Sequence, residues 1–550
     1  MRCSAGIRQV CPSVRVIAVS FGHSPVLLVR TRGDRSVLFG VVPLYFRKAA
    51  GALTRESHLA PGRVSRRLVA ASRNLPAAGV TDPVTQLELA PVLAEVERQF
   101  PMALERLKQF LRFPSIATDP AYHPASRDCA AWLAAELGSI GFEAGLRQTP
   151  GMPMVVAHHP GPPGADVPHL LYYGHYDVQP VDPIGLWDSP PFEPTVVGEP
   201  GAERVVARGA VDDKGQVMTF VEAFRAWMQV HGTLPCKVTV FVEGEEEGSS
   251  PSLEPFMRAN RDELRADLCL ISDTGMVSPD QPAITTSLRG LAYVEVTVHG
   301  PAMDLHSGMY GGVAVNPNNL LVRILAEMTD AEGRVTLPGF YDGIEEPSEA
   351  VLASWRDFPV TEAEFLGMVG LTGPHGERGR SFLERNWTRP TLDINGIWGG
   401  YTGDGTKTVI PAKASAKISA RLVPGQRWET IAPAIRQFVA DRLPPDCRLT
   451  FQDFGSSPGI TVPTEGPWIE AARAGIRQVF GREPVLMGCG GSIPVVGSIR
   501  EILGMDTLLV GFGLDDDRVH SPNEKFDLIC LKRGIATHAA LLERLATVRR

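Results

Sequence analysis

Two histidines, two aspartates and a glutamate pair stand in five short segments, each behind an apolar run: GHYDVQP (174–180), GAVDDKG (209–215), EGEEEGS (243–249), ISD (271–273) and VHSPNEK (519–525). His175, His520, Asp212, Asp273, Glu246 and Glu247 offer imidazole and carboxylate without thiolate. That donor set suits a pair of divalent metals, with zinc, manganese or cobalt favoured over calcium, and it is unlike a Cys-rich structural zinc site. Two ions about 3.5–4 Å apart polarise a carbonyl and lower the pKa of a shared water. Asp212, in a polar turn between two glycines, can bridge them. Glu246, directly before the candidate ligand Glu247, is placed to take the water's proton. Asp177 lies two residues after His175, close enough to accept its other ring N–H. The chemistry these residues point to is metal-dependent hydrolysis.

Such residues must be brought together by their scaffold. HLLYYG (169–174), KVTVFV (237–242), DLCLIS (267–272) and TLLVGF (507–512) read as short strands that are nearly continuous in apolar residues. Runs of that kind suit a sheet buried on both faces. His175, Glu246–Glu247 and Asp273 follow a strand's C-terminal end within a few residues, and His520 lies a little further on. The crevice outside the carboxyl ends of the strands is where open α/β sheets build sites. Taken singly, each signal has a plainer explanation. A lone His after a strand is more often packed than ligating, a Glu run is usually a solvated surface, and Asp-Asp-Lys-Gly is an ordinary turn. Five signals on one rim, in one chain, outweigh those explanations.

The ordered set GHYDVQP, RGAVDDKG, EGEEEGS, DLHSGMYGG (304–312), GGSIP (490–494) and HSPNEK resembles the dinuclear zinc metallopeptidases, a family of carnosinases, cytosolic dipeptidases, aminoacylases and glutamate carboxypeptidases. The resemblance runs from about residue 84 to the C-terminus and is nearest to the dipeptidase branch. It implies two Zn²⁺ per subunit (Mn²⁺ or Co²⁺ as alternatives). One would be held by His175, Asp212 and Asp273, the other by Asp212, Glu247 and His520, with Glu246 as general base. It also implies a cis peptide between Asp212 and Asp213. His306 resembles the family histidine that reaches into the partner subunit's site to stabilise the oxyanion, a type of contact that contributes roughly 3–4 kcal/mol to catalysis. Arg421 resembles the residue that holds the substrate's terminal carboxylate, a task suited to a guanidinium fork. Thr408 and Ser492 resemble smaller polar contacts to the substrate.

The middle of the chain changes pattern between about 286 and 459. AYVEVTVHG (292–300) alternates like a half-exposed strand, and NPNNLLVRILAEM (316–328) has helical spacing after an Asn-Pro start. TVIPAKASAKISARLVPG (408–425) reads as a strand pair, followed by a helix near 428–442 and a last strand at CRLTFQDF (447–454). The polar stretch 330–390 reads as an irregular insertion. These patterns give a small sheet with two helices on one face, and the family resemblance implies an α/β architecture: a mixed-sheet zinc-exopeptidase catalytic domain in two parts (84–285 and 460–550). An inserted α+β, two-layer, ferredoxin-like lid (286–459) is the segment through which the family forms dimers. Helices are expected near 86–112, 125–140 and 212–232, the last stopped by Gly232.

Two positions depart from the resemblance. Carnosine-cleaving members carry a histidine at the end of the lid, where this chain has FGSSPG (454–459), and Cys489 stands before GGSIP where an acidic residue is common. Both bear on the choice of substrate. They leave a general dipeptidase as the reading and remove a carnosine-specific one.

The chain has 550 residues, 44% of them hydrophobic, and a mean hydropathy of −0.02, so it can bury more than one core. Its eight cysteines lack CxxC pairs or regular spacing, which speaks for a reducing compartment and a cytoplasmic location. No apolar stretch reaches the ~20 residues that span a bilayer. Residues 1–80 hold 13 Lys+Arg and 2 Asp+Glu, a net of +11, while residues 81–550 carry −19. The acidic body argues against nucleic acid as a partner. The basic segment 1–83 is poorly suited to packing and reads as a disordered extension. It is open to three explanations: a leader without function, an organelle transit peptide, or a basic arm. The expected activity is exopeptidase cleavage of dipeptides or very short peptides. The alternatives are an N-acyl amino acid deacylase with the same site and a non-catalytic metal-binding relative.

Overall fold

The structure is a computed structural model that describes residues 7–11, 14–21, 24–31, 87–163, 166–347, 349–356 and 358–549. The chain divides into two compact units, Met1–Thr81 and Asp82–Arg550. In the first unit, where the sequence suggests no packed element, Ile7–Cys11, Val14–Phe21 and Ser24–Thr31 pair as a three-stranded antiparallel sheet. The rest of the 1–83 segment lies outside the described residues.

The second unit is built on a nine-stranded mixed sheet. Its centre is four parallel strands in the order Thr507–Leu509, Leu268–Ile271, His169–His175 and Lys237–Glu243. These are the apolar runs expected to be strands, and nearly every residue in them is buried. Parallel strands need both faces covered. One face is covered by Leu89–Leu111, Lys214–His231 and Leu528–Leu545, with Phe220, Phe224 and Trp227 fully buried. The other is covered by Leu253–Ala259 and the turn-rich segment around Val495–Leu503. Met154–His159 and Glu143–Arg147 extend one edge antiparallel, and Ala283–Leu288 with Val485–Cys489 extends the other. The helix Lys214–His231 ends where the sequence places its stop: Gly232 adopts a φ of 69°, which an L side chain resists.

Between these parts, Gly290–His299, Thr391–Gly399, Lys413–Leu422 and Arg448–Ser457 form a separate antiparallel sheet. Its spatial order is second, third, first, fourth strand, and the helices Pro317–Ala326 and Ile431–Ala440 connect the halves. This is the ferredoxin-like arrangement. It has its own apolar core of Val294, Val296, Ile418, Leu321, Ile324 and Ile435. Asn316 caps the first helix by accepting the Asn318 N–H at 2.9 Å, with Pro317 at the first helical position.

The stretch 330–390 differs from its reading as an irregular insertion. It contains three short helices, Glu349–Ser354, Glu362–Met368 and Phe382–Trp387, with Trp355, Leu383 and Trp387 packed together. Capping boxes start two of them: Thr361 with Glu364, and Ser381 with Glu384. Local side-chain-to-backbone bonds hold these helices where the apolar period is too weak to announce them. No helix among the described residues is long and apolar enough to cross a membrane.

Candidate metal centre

The carboxyl ends of the parallel strands deliver the site. His175 is the last residue of its strand, Asp273 follows Ile271 by two residues, and Glu246–Glu247 form a 3₁₀ turn after Glu243. Asp212 sits in the loop that opens the helix Lys214–His231. His175 Nε2 lies 3.2 Å from Asp212 Oδ1. His520 Nε2 lies 3.0 Å from Asp212 Oδ2 and 3.4 Å from Glu247 Oε2. Donor atoms of His175, Asp212 and Asp273 all lie within 4.8 Å of one another, and so do those of Asp212, Glu247 and His520. Asp212 belongs to both groups and turns one oxygen toward each histidine. The peptide between Asp212 and Asp213 is cis.

The electrostatics of the cluster call for a cation. Burial, with Asp213 and Asp212 as neighbours, drives the Asp273 carboxyl well above the usual carboxylate range. Burial also raises Glu246, to about 7, and the nearby Glu247 and Asp212 add to that against the pull of His175. Burial works against a charged His175, but the Asp177 and Asp212 carboxylates beside it win and raise it well above the usual imidazole value. His520 is pushed up to about 10, chiefly by Asp212 and then Glu247. The buried Nε2 of His175 has no hydrogen-bond partner of acceptable geometry. Crowded, desolvated carboxylates facing two imidazole nitrogens fit divalent metal, which would balance the charge and occupy the unpaired nitrogen.

Comparison with known proteins agrees with that chemistry. The model for Peptidase family M20/M25/M40 matches residues 171–544. The chain belongs to this family. It is a metal-dependent hydrolase, and the divalent-metal character of the cluster goes with that membership. It is similar to the Cys-Gly metallodipeptidase dug1 of Schizosaccharomyces pombe, with 31% identity over 80% of this chain and 95% of the relative. It is also similar to the human Beta-Ala-His dipeptidase, with 30% identity over 68% of this chain and 75% of the relative. Among solved structures, the di-peptidase Dug1p from Saccharomyces cerevisiae superposes with a TM-score of 0.73 at 26% identity, covering 85% of this chain and all of that one. Human carnosine dipeptidase 1 gives a TM-score of 0.71 at 26% identity, covering 84% and 99%.

In this M20 peptidase several side chains of the motifs act one step behind the donor atoms. Asp177, read as the acceptor for the second nitrogen of His175, does more than that. His175 Nδ1 is 3.1 Å from its main-chain oxygen and 3.4 Å from Oδ1, while its two carboxylate oxygens accept the N–H groups of Glu246 and Glu247 at 3.2 and 3.0 Å. It therefore fixes the imidazole and the glutamate turn together. Gln179 donates to Glu247 Oε2 at 2.6 Å. Glu524, in the last motif, carries no signal in the sequence that sets it apart. Fully buried, it accepts from Gly209, Val211 and Asp212 main-chain N–H groups at 2.9–3.1 Å and from Arg208 at 2.8 Å. It shapes the loop that aims Asp212. A Cβ at Gly215, just behind, would stand 1.8 Å from the Ala210 oxygen, so that tight turn admits glycine alone.

The lid residues fall into two groups. Arg421 donates from Nη1 to Ser492 Oγ at 3.1 Å, and the Ser492 hydroxyl donates to the Arg289 main-chain oxygen. His306 stands on a two-residue ladder, Leu305–His306 with Val409–Ile410, Thr408 directly precedes that second strand and accepts the Ser307 N–H at 3.1 Å, and both are exposed. Among the described residues, no hydrogen bond or ion pair links either of them to the carboxylate cluster. His306 Nδ1 accepts the Gly308 N–H at 3.0 Å, which leaves the ring proton on Nε2.

Proposed function

We propose that this M20 peptidase is a dipeptidase that binds two zinc ions through His175, Asp212 and Asp273 and through Asp212, Glu247 and His520. The observation that carries the reading is the pair of three-residue groups sharing Asp212, with Glu246 beside them. Bound metal supplies carbonyl polarisation and an acidified water. The protein residues do the rest. Glu246, held by the Asp177 carboxylate through its main-chain N–H, takes a proton from the attacking water and delivers it to the leaving amine. Arg421, oriented by Ser492, binds the substrate's terminal carboxylate and so sets the length of peptide accepted.

His306 of the partner subunit, with Thr408 beside it, completes the site by donating from Nε2 to the developing oxyanion. Supporting this, His306 is exposed within its own subunit, and the loop around it presents Met309 and Val313 at 74% and 87% exposure. Apolar side chains that open need a cover, and a second lid in a homodimer provides one. Cys129, Cys236, Cys269, Cys447, Cys489 and Cys530 are free thiols, which suits a cytoplasmic enzyme.

The relatives named for Cys-Gly and Beta-Ala-His dipeptides favour dipeptides over N-acyl amino acids for this chain. The test is a panel of dipeptides and N-acetyl amino acids against protein stripped of metal and reloaded with Zn²⁺, Mn²⁺ or Co²⁺. Dipeptide turnover restored by metal is the expected result; turnover of the N-acetyl compounds alone would replace the dipeptidase reading with deacylation.

A further inference from the structure

Arg289 sits at the junction of catalytic domain and lid, two residues from Leu291, the cross-strand partner of Arg421. It binds three consecutive residues of the GGSIP loop. Its N–H donates to the Gly491 oxygen at 3.1 Å and its Nε to the Gly490 oxygen at 3.0 Å, and its carbonyl accepts from Ser492. The remaining guanidinium donors have no carboxylate. Neither Arg289 nor Arg421 forms an ion pair among the described residues, although both are half-buried. Asp393, the acid that attracts Arg289, is exposed and bonded to Thr391. Cys489, also close, is a thiol that burial keeps protonated. Burial, and then repulsion from Arg421, lowers Arg289 to about 10.

A cavity of about 390 Å³ opens against Arg289. Two other arginines line it, but both are neutralised: Arg385 by Glu362, and Arg389 by Glu377 at 2.8 Å. Asp393 also lines it and attracts Arg289 without forming an ion pair, so Arg289 is the lining arginine that no carboxylate holds directly. Two adjacent guanidiniums repel each other, and a dipeptide's terminal carboxylate offsets one charge. A half-buried positive charge left over is costly, and a second carboxylate removes that cost.

We propose that Arg289 is a specificity-determining residue that binds the side-chain carboxylate of the leaving amino acid, so that the enzyme favours dipeptides ending in Asp or Glu. This rests on the dipeptidase reading and on Arg421 taking the terminal carboxylate. Cys489 then has a role in selection, because a thiol leaves Arg289 free for the substrate where a carboxylate would neutralise it.

The test compares Ala-Glu with its neutral isostere Ala-Gln on the metal-loaded wild-type enzyme, then on Arg289→Gln and Arg289→Lys. The expected result is a KM for Ala-Glu roughly 10- to 100-fold below that for Ala-Gln, the range of a charge-assisted pair. Arg289→Gln should erase that ratio by weakening Ala-Glu more than Ala-Gln, and Arg289→Lys should restore part of it. Equal KM values on the wild-type enzyme overturn the proposal even if every variant fails to fold. Equal weakening of both substrates in a folded Arg289→Gln also overturns it, because it would place both arginines on the terminal carboxylate. Failure to cleave any dipeptide would defeat the dipeptidase reading itself, and this inference with it.

Discussion

The rim of the catalytic sheet and the tip of the lid hold their functional residues in opposite ways. On the rim, His175, Asp212, Asp273, Glu247 and His520 converge within one chain, and buried residues such as Asp177 and Glu524 fix their main-chain supports. On the lid tip, His306 and Thr408 lie exposed at a two-residue ladder, with no hydrogen bond or ion pair to that cluster among the described residues. A metal centre requires preorganised donors, because crowded carboxylates tolerate one another only in a fixed geometry. An oxyanion donor needs only to arrive when charge develops. On the roles proposed for these residues, the chain carries a finished site for the metal and an unfinished one for the transition state.

Three substitutions test that division, beginning with the largest effect. Glu246→Gln removes the proton carrier and leaves the donor set intact. Turnover is expected to fall by about 10²–10⁴-fold with metal content unchanged by elemental analysis. A folded, metal-loaded variant with near-normal turnover would break the rim's side of the comparison. His306→Ala is expected to lower kcat by about 10²–10³-fold, the usual cost of one oxyanion donor. Mixed dimers of His306→Ala with Glu246→Gln should recover part of the activity, since one of their two sites would pair an intact rim with an intact histidine. Mixed dimers that show no recovery would place His306 in its own subunit's site. Glu524→Gln keeps the shape of the buried side chain and loses the charge-assisted bonds to Gly209, Val211 and Asp212. Metal affinity should weaken roughly 10- to 100-fold, as with other residues that orient a ligand, and kcat at saturating metal should change little. A variant titrating like the wild type would mean that the loop holds Asp212 without help.

What could be read from the chain follows the same line. Donor atoms are legible because few side chains ligate metal and because apolar runs announce the strands that carry them. Their supports are less so. Asp177 was noticed for its nearness to His175, yet its carboxylate serves the backbone of Glu246 and Glu247, a demand that no pattern of side chains displays. Glu524 stands in plain view inside HSPNEK, but the orphan N–H groups it satisfies lie more than 300 residues earlier in the chain. The insertion at 330–390 reads as irregular for another reason. Its helices are too short to show a period, although TEAE at 361–364 and SFLE at 381–384 each spell a capping box.

The smallest expected effect sharpens the comparison from the lid's side. Asn316 caps the helix Pro317–Ala326, which packs Leu321 and Ile324 into the lid's own core, remote in sequence from every metal-binding candidate. Asn316→Ala removes the acceptor for the Asn318 N–H, and an N-cap of this type is worth about 1 kcal/mol. The loss should appear as an earlier denaturant midpoint for unfolding of the lid, while metal affinity stays at the wild-type value. If metal affinity falls in step with lid stability, the lid braces the rim, and the finished site depends on the unfinished one. If it does not, the two regions are separable in energy as well as in architecture, and only the reaction itself unites them.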